Sequence, residues 1–280
     1  MRWEGGRRSG DIEDRRGLGP VAGGVGAGGI ILALIGYFVF GIDPSTTLGT
    51  VSQVAPAQQQ QGQAGSPQDE AGRFVDVVGT SVDDVWTAIF QREGERFVRP
   101  KVVLYDQSTG TGCGLGQSAM GPFYCPQDQR VYLDLSFWNE LSGRFGAQGD
   151  AAKAYVIAHE IGHHVQNLTG ETQKAERLGA RGAESGSVRL ELQADCYAGV
   201  WAAHASEVSG GAVALDPKDV EDGLRAAAAV GDDTLQRQAQ GRVAPDSFTH
   251  GSSEQRMRWF RTGVQAGDPA ACDTFRAARL

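Results

Sequence analysis

The alternation of apolar and polar residues changes period several times along the chain, and each change predicts an element. Val131-Tyr-Leu-Asp-Leu-Ser-Phe137 puts Val131, Leu133, Leu135 and Phe137 on one face and Tyr132, Asp134 and Ser136 on the other. That period of two is the pattern of a half-buried strand. Lys101 to Tyr105 reads as a second strand, and Asp83 to Phe90 as a short helix with Val85, Ile89 and Phe90 apolar. From about Ala151 to Leu168 the period becomes helical. Ala154, Ile157, Ile161, Val165 and Leu168 recur at three- and four-residue spacing and form one stripe. Another helix is expected from about Val188 to Ala205, with Leu190, Ala194, Tyr197 and Trp201 as its apolar side. Two more are expected near the C-terminus. One is opened by Asp216-Pro217, the other by Ser252 with Gln255 three residues later, a capping-box pattern.

One run is apolar without any period. Val21 to Ile42 carries no charge, and Ile30-Ile-Leu-Ala-Leu-Ile-Gly-Tyr-Phe-Val-Phe40 is its strongest part. About 20 uncharged residues are enough to cross the hydrocarbon core of a bilayer. Arg2, Arg7, Arg8, Arg15 and Arg16 precede the run, and no Lys or Arg follows it until Arg73. The positive-inside rule then predicts a single-pass protein of the cell membrane. Residues 1–20 would form a cytoplasmic basic N-terminus and residues 21–42 a transmembrane helix in contact with the lipid bilayer. Residues 43–70, rich in Gln, Ser, Pro, Gly and Ala, read as a flexible linker. Residues 71–280 would then be an extracytoplasmic folded domain.

With 280 residues the chain has room for one good-sized domain plus appendages. A net charge of -8 and a pI near 5.2 argue against a nucleic-acid partner, whose binding domain would be basic. Of four cysteines, Cys113, Cys125, Cys196 and Cys272, none forms a C-x-x-C pair, which disfavours a structural zinc site built on thiolates. Outside the cytoplasm disulfides are expected. Three pairings are possible; proximity and elimination favour Cys113 with Cys125 and Cys196 with Cys272.

Chemistry concentrates in His159-Glu160-Ile161-Gly162-His163. On a helix, residues i and i+4 project from one side a turn apart, so both imidazoles can reach one ion. Zinc suits two neutral nitrogen ligands, and Glu160 is placed to act as general base. With 5 His and 14 Glu in the chain, a random H-E-x-x-H is expected about 0.004 times. His164 falls near the apolar stripe and reads as a packed histidine. A catalytic site with three protein ligands needs one more group. Glu191, in Glu191-Leu-Gln-Ala-Asp195, is the candidate, with Asp195 one turn on accepting the free N–H of a ligand histidine. The expected cofactor is one Zn2+ per chain. His250, in a loop before a capped helix, is the candidate donor to a developing oxyanion.

His-Glu-Ile-Gly-His-His-Val-Gln (159–166), followed by Glu-Leu-Gln-Ala-Asp-Cys-Tyr-Ala-Gly-Val-Trp (191–201), resembles the bacterial neutral zinc metallopeptidases. The resemblance extends to Gly121-Pro-Phe-Tyr-Cys-Pro126, Val131 to Phe137, Thr249-His-Gly-Ser-Ser253, Met1-Arg-Trp and Asp14-Arg-Arg-Gly17. The order H-E-x-x-H then E-x-x-x-D on a second helix is also similar to the gluzincin peptidases of the thermolysin kind. It implies an α+β, mainly helical, zincin-like metallopeptidase domain with a small sheet, preceded by one transmembrane helix and a tether. It implies a hydrolase of peptide or protein substrates, an endopeptidase first, with Val131–Phe137 able to hold an extended substrate by strand addition. Two other classes compete: a zinc-binding envelope scaffold or chaperone, which would tolerate Glu160→Gln, and a metal-independent interaction module.

Overall fold

A computed structural model describes residues 1–18, 61–143, 146–147 and 149–280. The expected transmembrane segment, 21–42, and most of the expected linker lie outside those residues. Two strands come first, β1 (Ile12–Asp14) and β2 (Gln63–Ala64), then helix α1 (Glu70–Arg92). Five short strands follow: β3 (Lys101–Tyr105), β4 (Ser108–Thr111), β5 (Gly114–Gln117), β6 (Phe123–Cys125) and β7 (Arg130–Asp134). The rest is helical: α2 (Phe137–Gly143), α3 (Asp150–Thr169), α4 (Glu171–Arg177), α5 (Gly186–Val208), α6 (Pro217–Ala229), α7 (Asp232–Gln240) and α8 (Ser253–Ala266).

The fold is mixed α/β, which corrects the expected α+β domain behind a membrane helix. Its main sheet has the order β2-β1-β3-β7-β6, with β1, β3 and β7 parallel and β2 and β6 antiparallel edges. Among the described residues no helix is long and apolar enough to cross a membrane. The basic N-terminus is built into this sheet. Ile12 pairs with Val102 and Asp14 with Leu104, while Glu13 pairs with Ala64 on the other side. Trp3 and Ile12 are buried in the main core. The ring of Trp3 meets Phe74 edge-on at 5.2 Å, and its Nε1–H donates to Asp150 at 2.9 Å.

Three of the five arginines of the basic N-terminus make ion pairs with the folded body. Arg15 is buried, paired with Glu13 at 2.7 Å and donating to Thr109 and to the Gly110 carbonyl. Arg16 bridges Asp14 and Asp69, and Arg7 contacts Asp84. Asp69 in turn caps α1, accepting from the Gly72 N–H.

Two elements differ from their expected extents. Helix α1 begins 13 residues before Asp83, because Asp76, Thr80 and Ser81 are buried polar residues that break the apolar stripe. Strand β7 stops at Asp134, whose carboxylate accepts from the N–H groups of Ser136 and Gln107 and turns the chain into α2. Because β7 is paired on both sides, it has no edge free for an added strand; that edge belongs to β6. Both cysteine pairs are at bonding distance, Cys113–Cys125 at 2.05 Å and Cys196–Cys272 at 1.98 Å.

If the N-terminal residues are part of the folded body, Trp3→Ala will lower unfolding stability by about 3 kcal/mol, the usual cost of a deleted buried Trp. Urea denaturation of the whole chain checks this; an unmoved midpoint would mean that residue 3 lies apart from the core.

Candidate metal centre

Helix α3 ends at Gly170 in the left-handed conformation, and α5 begins at Ser185, whose side chain accepts from the Val188 N–H. Between those caps the two helices pack against each other and carry the candidate ligands. His159 and His163 sit one turn apart on α3, and Glu191 faces them from the first turns of α5. Glu191 Oε2 lies 3.2 Å from His159 Nε2, and Oε1 lies 3.5 Å from His163 Nε2. One ligand atom from each residue falls within 4.8 Å of the other two. Tetrahedral zinc with ligands at about 2.0–2.1 Å holds its donor atoms about 3.3–3.5 Å apart, so the donor set and spacing fit a zinc ion.

The other nitrogen of each imidazole has an acceptor. His159 Nδ1–H donates to Asp195 Oδ1 at 2.9 Å, and His163 Nδ1–H donates to Gln166 Oε1 at 2.8 Å. Each ring is thereby fixed as the tautomer whose Nε2 lone pair points towards Glu191. Gln166 is held by donating to the Leu190 carbonyl and to Gln193.

The charges agree with this arrangement. Burial alone would raise the Glu191 carboxyl, but the charges of His163 and His250 and the bond from His159 hold it well below the usual carboxylate range. Burial would lower His159, yet Asp195 and then Glu191 raise it to about 10. Proton and metal therefore compete for the same Nε2. Glu160 is buried beside the ligands, and that burial raises its carboxyl despite the neighbouring histidines.

His250 stands on the loop before α8, partly exposed. Its Nδ1 lies 3.4 Å from Asp232 Oδ1, and the other oxygen of that carboxylate accepts the N–H groups of Thr249, His250 and Gly251. Burial would lower the imidazole, but the charges of Glu191 and Asp232 raise it, so His250 lies within the field of the candidate ligands. His164 is fully buried and packs as its direction on the helix predicts. Its Nε2–H donates to the Val98 carbonyl at 2.6 Å, and its Nδ1 accepts from the Tyr124 hydroxyl at 2.9 Å.

The family model described as "Putative neutral zinc metallopeptidase" matches residues 1–275. The chain belongs to this family. Membership covers the N-terminal strand as well as the helices that carry the candidate ligands. Among relatives, the chain is similar to the uncharacterized protein YpfJ of Escherichia coli K12, 47% identical over 98% of this chain and 99% of that one. It is also similar to the uncharacterized protein Mb2605 of Mycobacterium bovis, 52% identical over 66% of this chain and 65% of that one. No solved structure matches the chain. A zinc-peptidase family implies zinc, in accord with the His159–His163–Glu191 group.

Sequence reasoning missed four residues of the centre: Tyr155, Gln166, Asp232 and Arg256. Gln166 carried a usable signal, its spacing three residues after His163 on one helix. Tyr155 lies one turn before His159 and was open to the same reasoning. Asp232 and Arg256 come from separate elements, and no local spacing points to them.

The purified chain is expected to hold about one zinc per molecule, and Glu191→Ala to lose most of it, as metal analysis will show. A chelator should lower the melting temperature of the wild type and leave that of Glu191→Ala nearly unmoved, since an ion that binds only the folded state stabilises it by mass action.

Proposed function

We propose that this protein is a zinc-dependent peptidase that hydrolyses peptide bonds, with Glu160 as general base. The observation that carries the reading is the convergence of His159, His163 and Glu191 beside a buried carboxylate that belongs to none of the three. When bound, zinc supplies a Lewis acid that makes water acidic and polarises a carbonyl. Glu160 takes the proton of the attacking water and returns it to the departing nitrogen. Its raised carboxyl suits that double duty, because a carboxylate whose pKa lies nearer the working pH takes the proton of water more readily and can still hand it on. Asp195 and Gln166 keep the two imidazoles oriented throughout.

His250 donates from its free ring nitrogen to the carbonyl oxygen as negative charge builds there. Asp232 orients it and favours its protonated form. An extended substrate is assigned to the outer edge of β6. That strand is fastened to the metal helix through Tyr124, which donates to His164 and accepts from Asn167.

The test uses the whole chain, because residues 1–18 are part of the fold. Metal content and hydrolysis of a mixed peptide library are measured for wild type and Glu160→Gln. The variant should keep its zinc and lose at least about 100-fold in turnover, the usual scale for a positioned base. Equal turnover would reject the peptidase mechanism and favour a zinc-binding scaffold.

His250→Phe should cut turnover by about 100-fold at unchanged zinc content, as for loss of one oxyanion donor. A variant as fast as wild type would remove His250 from the chemistry.

A further inference from the structure

One buried cation beside the candidate centre has no part in the hydrolysis just described. Arg256, on α8, is 3% exposed. Its Nε donates to Asp195 Oδ2 at 2.8 Å and its Nη2 to Asp195 Oδ1 at 2.9 Å, a two-point grip on one carboxylate. The same Nη2 lies 3.2 Å from the Tyr155 hydroxyl and 3.9 Å from Glu191 Oε2. Asp195 Oδ1 also accepts from the Tyr155 hydroxyl and from His159 Nδ1–H. A single carboxylate on α5 is thus held from α3 and from α8 at once.

We propose that Arg256 is a positioning residue that sets the affinity of the centre for its metal, acting through Asp195. The proposal rests on the zinc-centre reading above. Geometry gives the first reason. A carboxylate held through one oxygen only, as Asp195 would be by Tyr155 and His159, can rotate about its last bond. The planar guanidinium fork removes that freedom and presents Oδ1 to the imidazole in one orientation. His159 is then fixed with Nε2 towards Glu191 and His163 before any ion arrives, so less ordering is left to oppose binding.

Charge gives the second reason. Glu160, Glu191 and Asp195 are three acidic groups in one largely buried region, and Arg256 is the fixed cation among them. A divalent ion and one guanidinium together match three carboxylates. Without Arg256, Asp195 would be a buried charge in need of another partner, and its nearest alternatives are the groups that build the centre.

A purely structural rivet between α5 and α8 is the competing account. Those helices are already held together in two other ways: the Cys196–Cys272 disulfide ties α5 to the turn that follows α8, and at Gly263 the backbones come so close that an added Cβ would lie 1.9 Å from the Cys196 carbonyl oxygen. Loss of the guanidinium should therefore leave the fold while disturbing the ligands.

The experiment measures the zinc dissociation constant of the whole chain by competition with a chelating indicator at fixed pH. It compares wild type with Arg256→Met, Arg256→Lys and Tyr155→Phe, and records melting temperatures with zinc and with chelator. Arg256→Met should weaken zinc binding about 10- to 100-fold, the scale for losing a group that orients a metal ligand. Arg256→Lys, which keeps the charge and loses the fork, should fall between wild type and Met. Tyr155→Phe should shift in the same direction by less. Because Arg256 acts through Asp195, adding Arg256→Met to Asp195→Asn should weaken binding little further. Wild-type zinc affinity in Arg256→Met, with melting lowered equally in both states, would overturn the proposal in favour of the rivet. Should Arg256→Met not fold, unchanged affinity in both Arg256→Lys and Tyr155→Phe would overturn it equally. A wild type that binds no zinc would instead sink the metal-centre reading itself.

Discussion

An imidazole on one helix and a carboxylate on another can share an ion only where the two backbones come close, and here the approach of α3 to α5 governs the rest of the structure. Gly162, between the two candidate ligand histidines, makes that approach possible. A Cβ there would lie 3.3 Å from the Ala194 carbonyl oxygen, closer than such atoms ordinarily sit, and 3.4 Å from the Ala194 Cα. Asp195 follows Ala194 directly, so the contact that admits the helix also delivers the carboxylate to His159. A side chain at position 162 would need α5 to give by a few tenths of an ångström beside the residues that set the ligand spacing.

From that contact the polar structure spreads outward in successive layers. Glu160 and the candidate ligands His159, His163 and Glu191 form the first of them. Behind them Asp195 and Gln166 fix the rings. Farther back, Arg256 and Tyr155 satisfy Asp195, while Gln193 donates to the Cys272 carbonyl and accepts from Gln166. Around the centre, His159, Gln166, Gln193, Asp195 and Arg256 answer one another's polar groups, as a low-dielectric interior demands.

The candidate ligands were legible because one helical turn encodes them. Periodicity gives the side of a helix, and His159, His163, Glu191 and Asp195 each pair at i and i+4. The capped helices α6 and α8 were legible for the same local reason, since Asp216 with Asp219 and Ser252 with Gln255 form their reciprocal bonds within four residues. What stayed hidden depends on contacts far apart in sequence. Arg256 reaches Asp195 across 61 positions, and Arg15 reaches the Gly110 carbonyl across 95. The N-terminal arginines show the same limit: their spacing gives no sign that Arg15 pairs with Glu13, that Arg16 bridges Asp14 and Asp69, or that Arg7 meets Asp84.

The pairing of β1 with β3 bears on where this protein can be assembled. Backbone bonds between Ile12–Asp14 and Val102–Leu104 form only when both segments meet in the same water. A cell that moved residues 61–280 across a barrier and left Met1–Leu18 behind would leave β3 with an open edge and the slot for Trp3 unfilled. In the described fold β3 thus owes one of its two partners, and the core one of its tryptophans, to the first 18 residues.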